Sequence, residues 1–298
     1  MKRLPYIMLS AVLSFSLLSC EQLKAYATED GKPKKEKKNK RVEPASQAVQ
    51  VVQKWEVPPI LQEVSGIVYM GNGRFACVQD EAGVIFIYDT KTRQIERQIT
   101  FGAAGDYEGL TLVDNTAYVV RSDGRLFEVS NIQEANSKVT EHATPLTPEH
   151  NVEGLAYDPQ GKRLLLAIKG EEANGSDYKG VYAFNLDTKQ LVAEPVFKLN
   201  LNDQLLAKQK AKTLAKNWQP SEIAVHPVSG QIFLLEATNP QLFLLNPNGS
   251  IKNRFKLSDA AFYKPEGIAF SPTGDLYISN EGKKDPGNIL HVKVEGVE

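Results

Sequence analysis

The chain has little material for cross-links, since two cysteines in 298 residues, Cys20 and Cys77, allow at most one disulfide. Its four histidines include no two at metal-ligand spacing, which leaves no zinc site to be read from the sequence. It also lacks charge of one sign: 35 basic against 36 acidic side chains give a net of -1, so no electrostatic case for nucleic acid arises. Only one long apolar run exists, Leu4 to Leu18, which excludes a multi-span membrane protein. A phosphate-cradling glycine loop is missing too, because Gly71-Asn72-Gly73 and Asn174-Gly175-Ser176 read as hairpin turns. What remains is globular composition, 42% hydrophobic and 24% charged.

The apolar run follows Lys2-Arg3 and ends at Leu17-Leu18-Ser19-Cys20. This predicts a signal peptide over residues 1–19. The last four residues resemble the lipobox of bacterial lipoproteins, which implies that Cys20 becomes the acylated first residue. The alternative, a short transmembrane anchor, would need about 20 uninterrupted apolar residues. Glu21 in place of Asp implies the outer rather than the inner membrane. With Cys20 acylated no disulfide can form, and Cys77, inside Phe75-Ala76-Cys77-Val78, is expected to be a buried small hydrophobe. Residues 20–48 show no hydrophobic periodicity and carry the basic stretch Lys32 to Arg41, which predicts a disordered tether leading to a folded domain over 49–298. The neutral total is a cancellation: residues 1–41 sum to +6 and residues 42–298 to -7.

One motif recurs five times in that domain: Ser65-Gly66-Ile67-Val68-Tyr69, Glu108-Gly109-Leu110-Thr111-Leu112, Glu153-Gly154-Leu155-Ala156-Tyr157, Ser221-Glu222-Ile223-Ala224-Val225 and Glu266-Gly267-Ile268-Ala269-Phe270. The copies are spaced by 43, 45, 68 and 45 residues, and steps in the forties are the length of a four-stranded propeller blade. Turns containing Pro and Gly follow three copies, as in Asp158-Pro159-Gln160-Gly161, and further β-rich runs come after them. The last repeat stops after its third strand, and Val51 to Val57 is expected to supply the fourth by pairing first with last. The fold class is therefore all-β, a single five-bladed propeller, with six blades as the alternative if the 68-residue step hides a degenerate one. The excess in that step, Asn202 to Trp218, is read as one short inserted helix, capped by Asn202 or Asp203 and offering Leu205, Leu206, Leu214 and Trp218 as a partial apolar face.

The runs Asn151 to Pro159, Gln219 to Pro227 and Lys264 to Phe270, with Ile278-Ser279-Asn280-Glu281-Gly282, resemble the SdiA-regulated family. The resemblance spans roughly residues 50 to 295 and implies a bacterial envelope propeller, often lipid-anchored, with no established reaction. Propellers of the NHL, phytase and gluconolactonase types share related strand motifs. Glu222 stands where the other four repeats have Gly.

In a propeller the first strand of each blade lines the axis, so the first motif positions, Ser65, Glu108, Glu153, Ser221 and Glu266, should converge near one mouth. A second ring is expected where each second strand ends, at Asp80, Arg121, Lys169, Glu236 and Glu281. Clustered carboxylates must be neutralised, by a cation or by basic side chains. Oxygen ligands suit calcium, which assigns Glu108, Glu153, Glu266, Asp80 and Glu281 as candidate metal ligands and Ser65, Arg121, Lys169, Ser221 and Glu236 as candidate ligand-binding residues. The other arrangement pairs Glu108, Glu153 and Glu266 with Arg121, Lys169 and backbone amides between blades. No catalytic residue is assigned, and His226 is placed in a turn. The expectation is a monomeric, lipid-anchored envelope propeller that binds a small ligand, glycan or protein partner, with a calcium-dependent hydrolase of phosphate esters or lactones as the alternative.

Overall fold

The computed structural model describes residues 49–172, 175–206, 212–216, 218–257 and 260–296. The expected signal peptide, Cys20 and the expected tether lie outside the described residues. After β1 (Val49–Glu56) the chain builds β2 (Val64–Gly71), β3 (Arg74–Gln79), β4 (Val84–Asp89) and β5 (Gln94–Thr100) as blade 1. Blade 2 is β6 (Tyr107–Val113), β7 (Thr116–Arg121), β8 (Leu126–Ser130) and β9 (Lys138–His142). Blade 3 is β10 (Val152–Asp158), β11 (Arg163–Ile168) and β12 (Tyr178–Asn185), whose outer edge is shared by β13 (Gln190–Leu191) and β14 (Phe197–Asn200). Blade 4 is β15 (Pro220–Val225), β16 (Ile232–Glu236), β17 (Gln241–Leu245) and β18 (Ile251–Lys256). Blade 5 is β19 (Pro265–Phe270), β20 (Leu276–Asn280), β21 (Asn288–Val294) and, from the other end of the chain, β1.

The expected closure is therefore present: β1 runs antiparallel to β21, with Val49 opposite Val294 and Glu56 opposite Asn288. All strands within a blade are antiparallel neighbours, so each carries one apolar face to either side. Five hydrophobic clusters result, one at each blade-to-blade interface. Blades 1 and 2 meet through residues such as Ile85, Phe101, Leu110 and Phe127, and blades 5 and 1 through Phe75, Tyr88, Tyr277 and Ile289. Cys77 lies in the latter cluster, where burial pushes its thiol far above the usual cysteine range.

Among the described residues of Asn202–Trp218 no α-helix is found. Among the described residues this stretch holds two single-turn 3-10 segments, Gln204–Leu206 and Leu214–Lys216, while residues 207–211 and 217 lie outside the description. The apolar residues do not form a stripe: Leu206 and Trp218 anchor separately in the core between blades 3 and 4, and Leu205 and Leu214 stay exposed. Asp203 does cap, its Oδ1 accepting from Leu205 N at 2.8 Å. No helix among the described residues is long and apolar enough to cross a membrane.

Candidate functional site

Each innermost strand carries a β-bulge at the same place. In β10 the pairing steps from Val152 opposite Ile168 to Gly154 opposite Ala167, leaving Glu153 as the extra residue. The same step isolates Glu108 in β6, Ser221 in β15 and Glu266 in β19, and in β2 the irregularity falls across Ser65 and Gly66. A bulge re-aims the extra side chain, and here it puts the first motif position of every blade at one mouth of the channel. The glycine that follows answers a second constraint. A Cβ on Gly66 would stand 2.6 Å from Leu110 N and 2.7 Å from Glu108 O, and one on Gly109 would stand 2.8 Å from Leu155 N. Neighbouring inner strands approach too closely there for any side chain directed at the next blade.

Glu222 occupies that position in blade 4 by turning back. Its Oε1 accepts from Leu155 N at 2.7 Å and from its own neighbour Ile223 N at 2.9 Å, so it stitches blade 4 to blade 3. Its Oε2 is buried without a partner, and full burial raises its pKa well above the ordinary carboxyl range.

The two serines of the ring also join blades. Ser65 Oγ donates to Tyr107 O at 2.8 Å and Ser221 Oγ to Pro265 O at 2.9 Å, each reaching the residue before the next blade's glutamate. Ser279 Oγ closes blade 5 onto blade 1 by donating to Ser65 O at 2.9 Å. The three glutamates instead gather around one ammonium. Lys169, at the exit of β11, places Nζ 3.0 Å from Glu153 Oε2, while Asn151 Nδ2 donates to Glu153 Oε1 at 2.7 Å. Burial alone would depress Lys169, but Glu153, Glu266 and Glu108 outweigh it and hold the ammonium above its usual range. One positive charge cannot neutralise three carboxylates. Burial, reinforced by Glu153, pushes Glu108 up to about 10 and Glu266 up to about 8, and burial raises Glu153 too against the pull of Lys169, so protonation is shared within the cluster while Glu153 and Lys169 form its ion pair.

The second ring is less uniform. Arg121 turns away to a two-pronged pair with Asp123, Nε to Oδ1 at 3.0 Å and Nη2 to Oδ2 at 2.7 Å, and its guanidinium lies over Phe127. Glu236 is fully buried and accepts from Gln241 Nε2 at 3.1 Å and Asn239 Nδ2 at 3.2 Å. Glu281 takes both its bonds from Lys264 Nζ, at 2.7 Å each. Burial, with Glu63 and Glu281 adding to it, pushes Asp80 up to about 6. Asn151 and Lys264 both have left-handed backbones, φ 44° and 43°, and each precedes a ring glutamate by two residues. This conformation, unfavourable outside glycine, turns Asn151 onto Glu153 and brings Lys264 Nζ to 4.0 Å from Glu266.

Where blade 5 meets blade 1, three further buried oxygens have no hydrogen-bond partner: Glu266 Oε2, Asp80 Oδ1 and Asn280 Oδ1. Asn280 pairs in register with Pro265, immediately before Glu266, and Asp80 follows β3 in the adjoining blade. The acceptors therefore cluster where blade 5 meets blade 1. Among the described residues no three His, Cys, Asp or Glu side chains are grouped so as to hold a metal ion. Lys179 escaped the sequence reading. It is almost fully buried, and its Nζ donates to the carbonyls of Lys169 and Gly170, bracing the loop that carries Lys169. Burial brings its pKa down to about 8. His226 is a turn residue as expected, its Nδ1 accepting from Ser229 N at 3.1 Å and Val228 N at 3.3 Å.

The opposite mouth is different. The third motif position is a bulky aliphatic in all five blades and is at most 5% exposed. The fourth is small (Val68, Thr111, Ala156, Ala224, Ala269), and the fifth includes Tyr69, Tyr157, Val225 and Phe270. Together these positions line a cavity of about 620 Å³ that contains no residue of the carboxylate ring.

Residues 42–284 match the sequence model of the family described as SdiA-regulated. No curated protein matches the chain in sequence. Among solved structures, the glutaminyl cyclase of Myxococcus xanthus superposes with a TM-score of 0.56 at 16% identity, over 84% of this chain and 97% of that one. The virginiamycin B lyase of Staphylococcus aureus gives 0.44 at 15% identity, over 78% and 68%. At such identity the first likeness concerns the fold alone, and the second adds nothing to it.

Proposed function

Because the chain belongs to the SdiA-regulated family, we propose that it is a lipid-anchored propeller of the bacterial cell envelope that binds a small donor-rich ligand at the carboxylate-lined mouth. One observation carries the reading: Glu266 Oε2, Asp80 Oδ1 and Asn280 Oδ1 are buried acceptors with no donor. Leaving such atoms unpaired costs about 1–3 kcal/mol each, and a ligand that donates to them recovers that cost. Hydroxyl groups fit, and an ammonium fits where it displaces the proton that burial holds on Glu266; a carboxylate or phosphate would meet the charges of Glu153 and Glu281 instead. An amino sugar offers both kinds of donor. Anchoring rests on the Leu17-Leu18-Ser19-Cys20 pattern, and the basic stretch Lys32 to Arg41 that follows suits an anionic lipid surface.

A calcium ion would compete with such a ligand for Glu266, Asp80 and Asn280, Glu153 being already paired with Lys169. Calorimetric titration with D-glucosamine, with a calcium chloride arm, tests it. Saturable glucosamine binding that weakens at least tenfold in Glu266→Gln is expected. Equal binding by the wild type and the variant would remove Glu266 from the site, and absence of binding would remove the reading.

A further inference from the structure

The apolar cavity at the other mouth has no role in the binding reading. Its floor is the bulky third motif position, its open waist the small fourth, and its wall the fifth. Asp114 at its edge is the one charged side chain among the lining residues. A cavity of about 620 Å³ is in the size range of small-molecule sites, and apolar walls select an apolar body. Apolar residues also reach the rim beside Asp114: Pro159, Pro227 and Pro272 line the edge, and neighbouring Val228 is 71% exposed.

The position of β1 indicates what lies nearby. Phe270 pairs with Leu276, Leu276 with Val292 and Val292 with Val51, so β1 begins on the face that carries the apolar cavity and ends on the carboxylate face. The chain before Val49 thus joins the ring on the cavity side. From Cys20 to Val49 are 29 residues, a reach of at most about 100 Å when fully extended. We propose that the apolar mouth binds one acyl chain of a membrane lipid. The nearness of a bilayer rests on the anchoring reading above; the chemistry of the cavity does not.

The five inter-blade cores lie within residues 49–294 and the ring closes through β1 and β21, so a chain starting at Pro44 retains the fold and carries no lipid of its own. Two probes are used with it: dodecanoate below its micelle concentration, titrated by calorimetry, and vesicles of phosphatidylethanolamine and phosphatidylglycerol, followed by co-sedimentation. Saturable dodecanoate binding is expected, with affinity rising about fourfold per methylene from octanoate through decanoate. Dodecanoate should also release the protein from vesicles. Val225→Asp puts a charge in the wall and should weaken dodecanoate at least tenfold, with Val225→Leu within threefold of the wild type. Melting curves for both variants establish that they are folded.

A wild type that binds no dodecanoate, a flat dependence on chain length, or undiminished binding by a folded Val225→Asp would overturn the proposal. Dodecanoate binding without vesicle binding would overturn the assignment to membrane lipid. Since the chain tested lacks Cys20, a failure of acylation at that residue would leave these results standing.

Discussion

Replacing Lys169 by methionine removes the only ammonium among the described residues within ion-pair distance of Glu153 and leaves a carboxylate that is 2% exposed. Breaking a buried pair from one side typically costs about 3–5 kcal/mol, because the remaining charge is stranded. Here the cost has a ceiling set by protonation. Taking up a proton at pH 7, 2.5 units above the ordinary glutamate value of 4.5, costs about 3.4 kcal/mol, and at pH 5 only about 0.7 kcal/mol. A carboxyl whose folded pKa is raised binds its proton more tightly in the native state, so the variant loses stability as pH rises above 4.5. Urea unfolding of Lys169→Met should therefore show a deficit of up to about 3 kcal/mol at pH 7, the wild type already bearing part of the burial cost at Glu153, that shrinks below about 1 kcal/mol at pH 5. Lys169→Met combined with Glu153→Gln should recover most of the loss at pH 7. A deficit equal at both pH values would refute the ion-pair assignment and reduce Lys169 to a packing role.

Four further outcomes follow from the same geometry. Glu266, pushed up to about 8, stabilises the fold while protonated and loses that contribution between pH 4.5 and 8, so Glu266→Gln should flatten the fall in melting temperature over this range. Gly109→Ala places a Cβ 2.8 Å from Leu155 N and should destabilise by about 1–3 kcal/mol in urea titrations, with the mean blade arrangement retained by circular dichroism. Cys77 should resist an aromatic disulfide reagent in the native chain and react once unfolded; rapid native labelling would contradict its place between blades 5 and 1. Deleting residues 49–56 removes the strand that covers β21 and should abolish cooperative unfolding and promote aggregation through the freed edge, visible in light scattering.

Much of the fold was legible because the repeat is written in the inner strand, where constraint is greatest. The glycine of the motif is explained by strand separations near the axis, and the residue before it by a bulge that recurs in each blade. Strand order and the closing role of the first strand followed from a repeat that ends one strand short. In the Asn202–Trp218 stretch the described residues depart from a helix because Leu206 and Trp218 are fixed by separate insertions into one core.

The site was half legible. Which residues stand at the mouth follows from the repeat; which of them pair does not. Arg121 carried a visible signal, an aspartate two residues on, and that local partner captures it. Nothing in the pattern marks Lys179, because a lysine at the start of a third strand looks solvated until the loop above it closes. Glu222 stood out as a departure from the repeat, yet its return toward blade 3 depends on an amide of another blade.

The most direct test of the binding account is a glucosamine titration of the wild type and Glu266→Gln, side by side at pH 7. Saturable binding by the wild type, weakened at least tenfold in the variant, is the predicted result. Indistinguishable heats from the two proteins would contradict the claim that the unpaired oxygens beside Glu266 recognise a ligand.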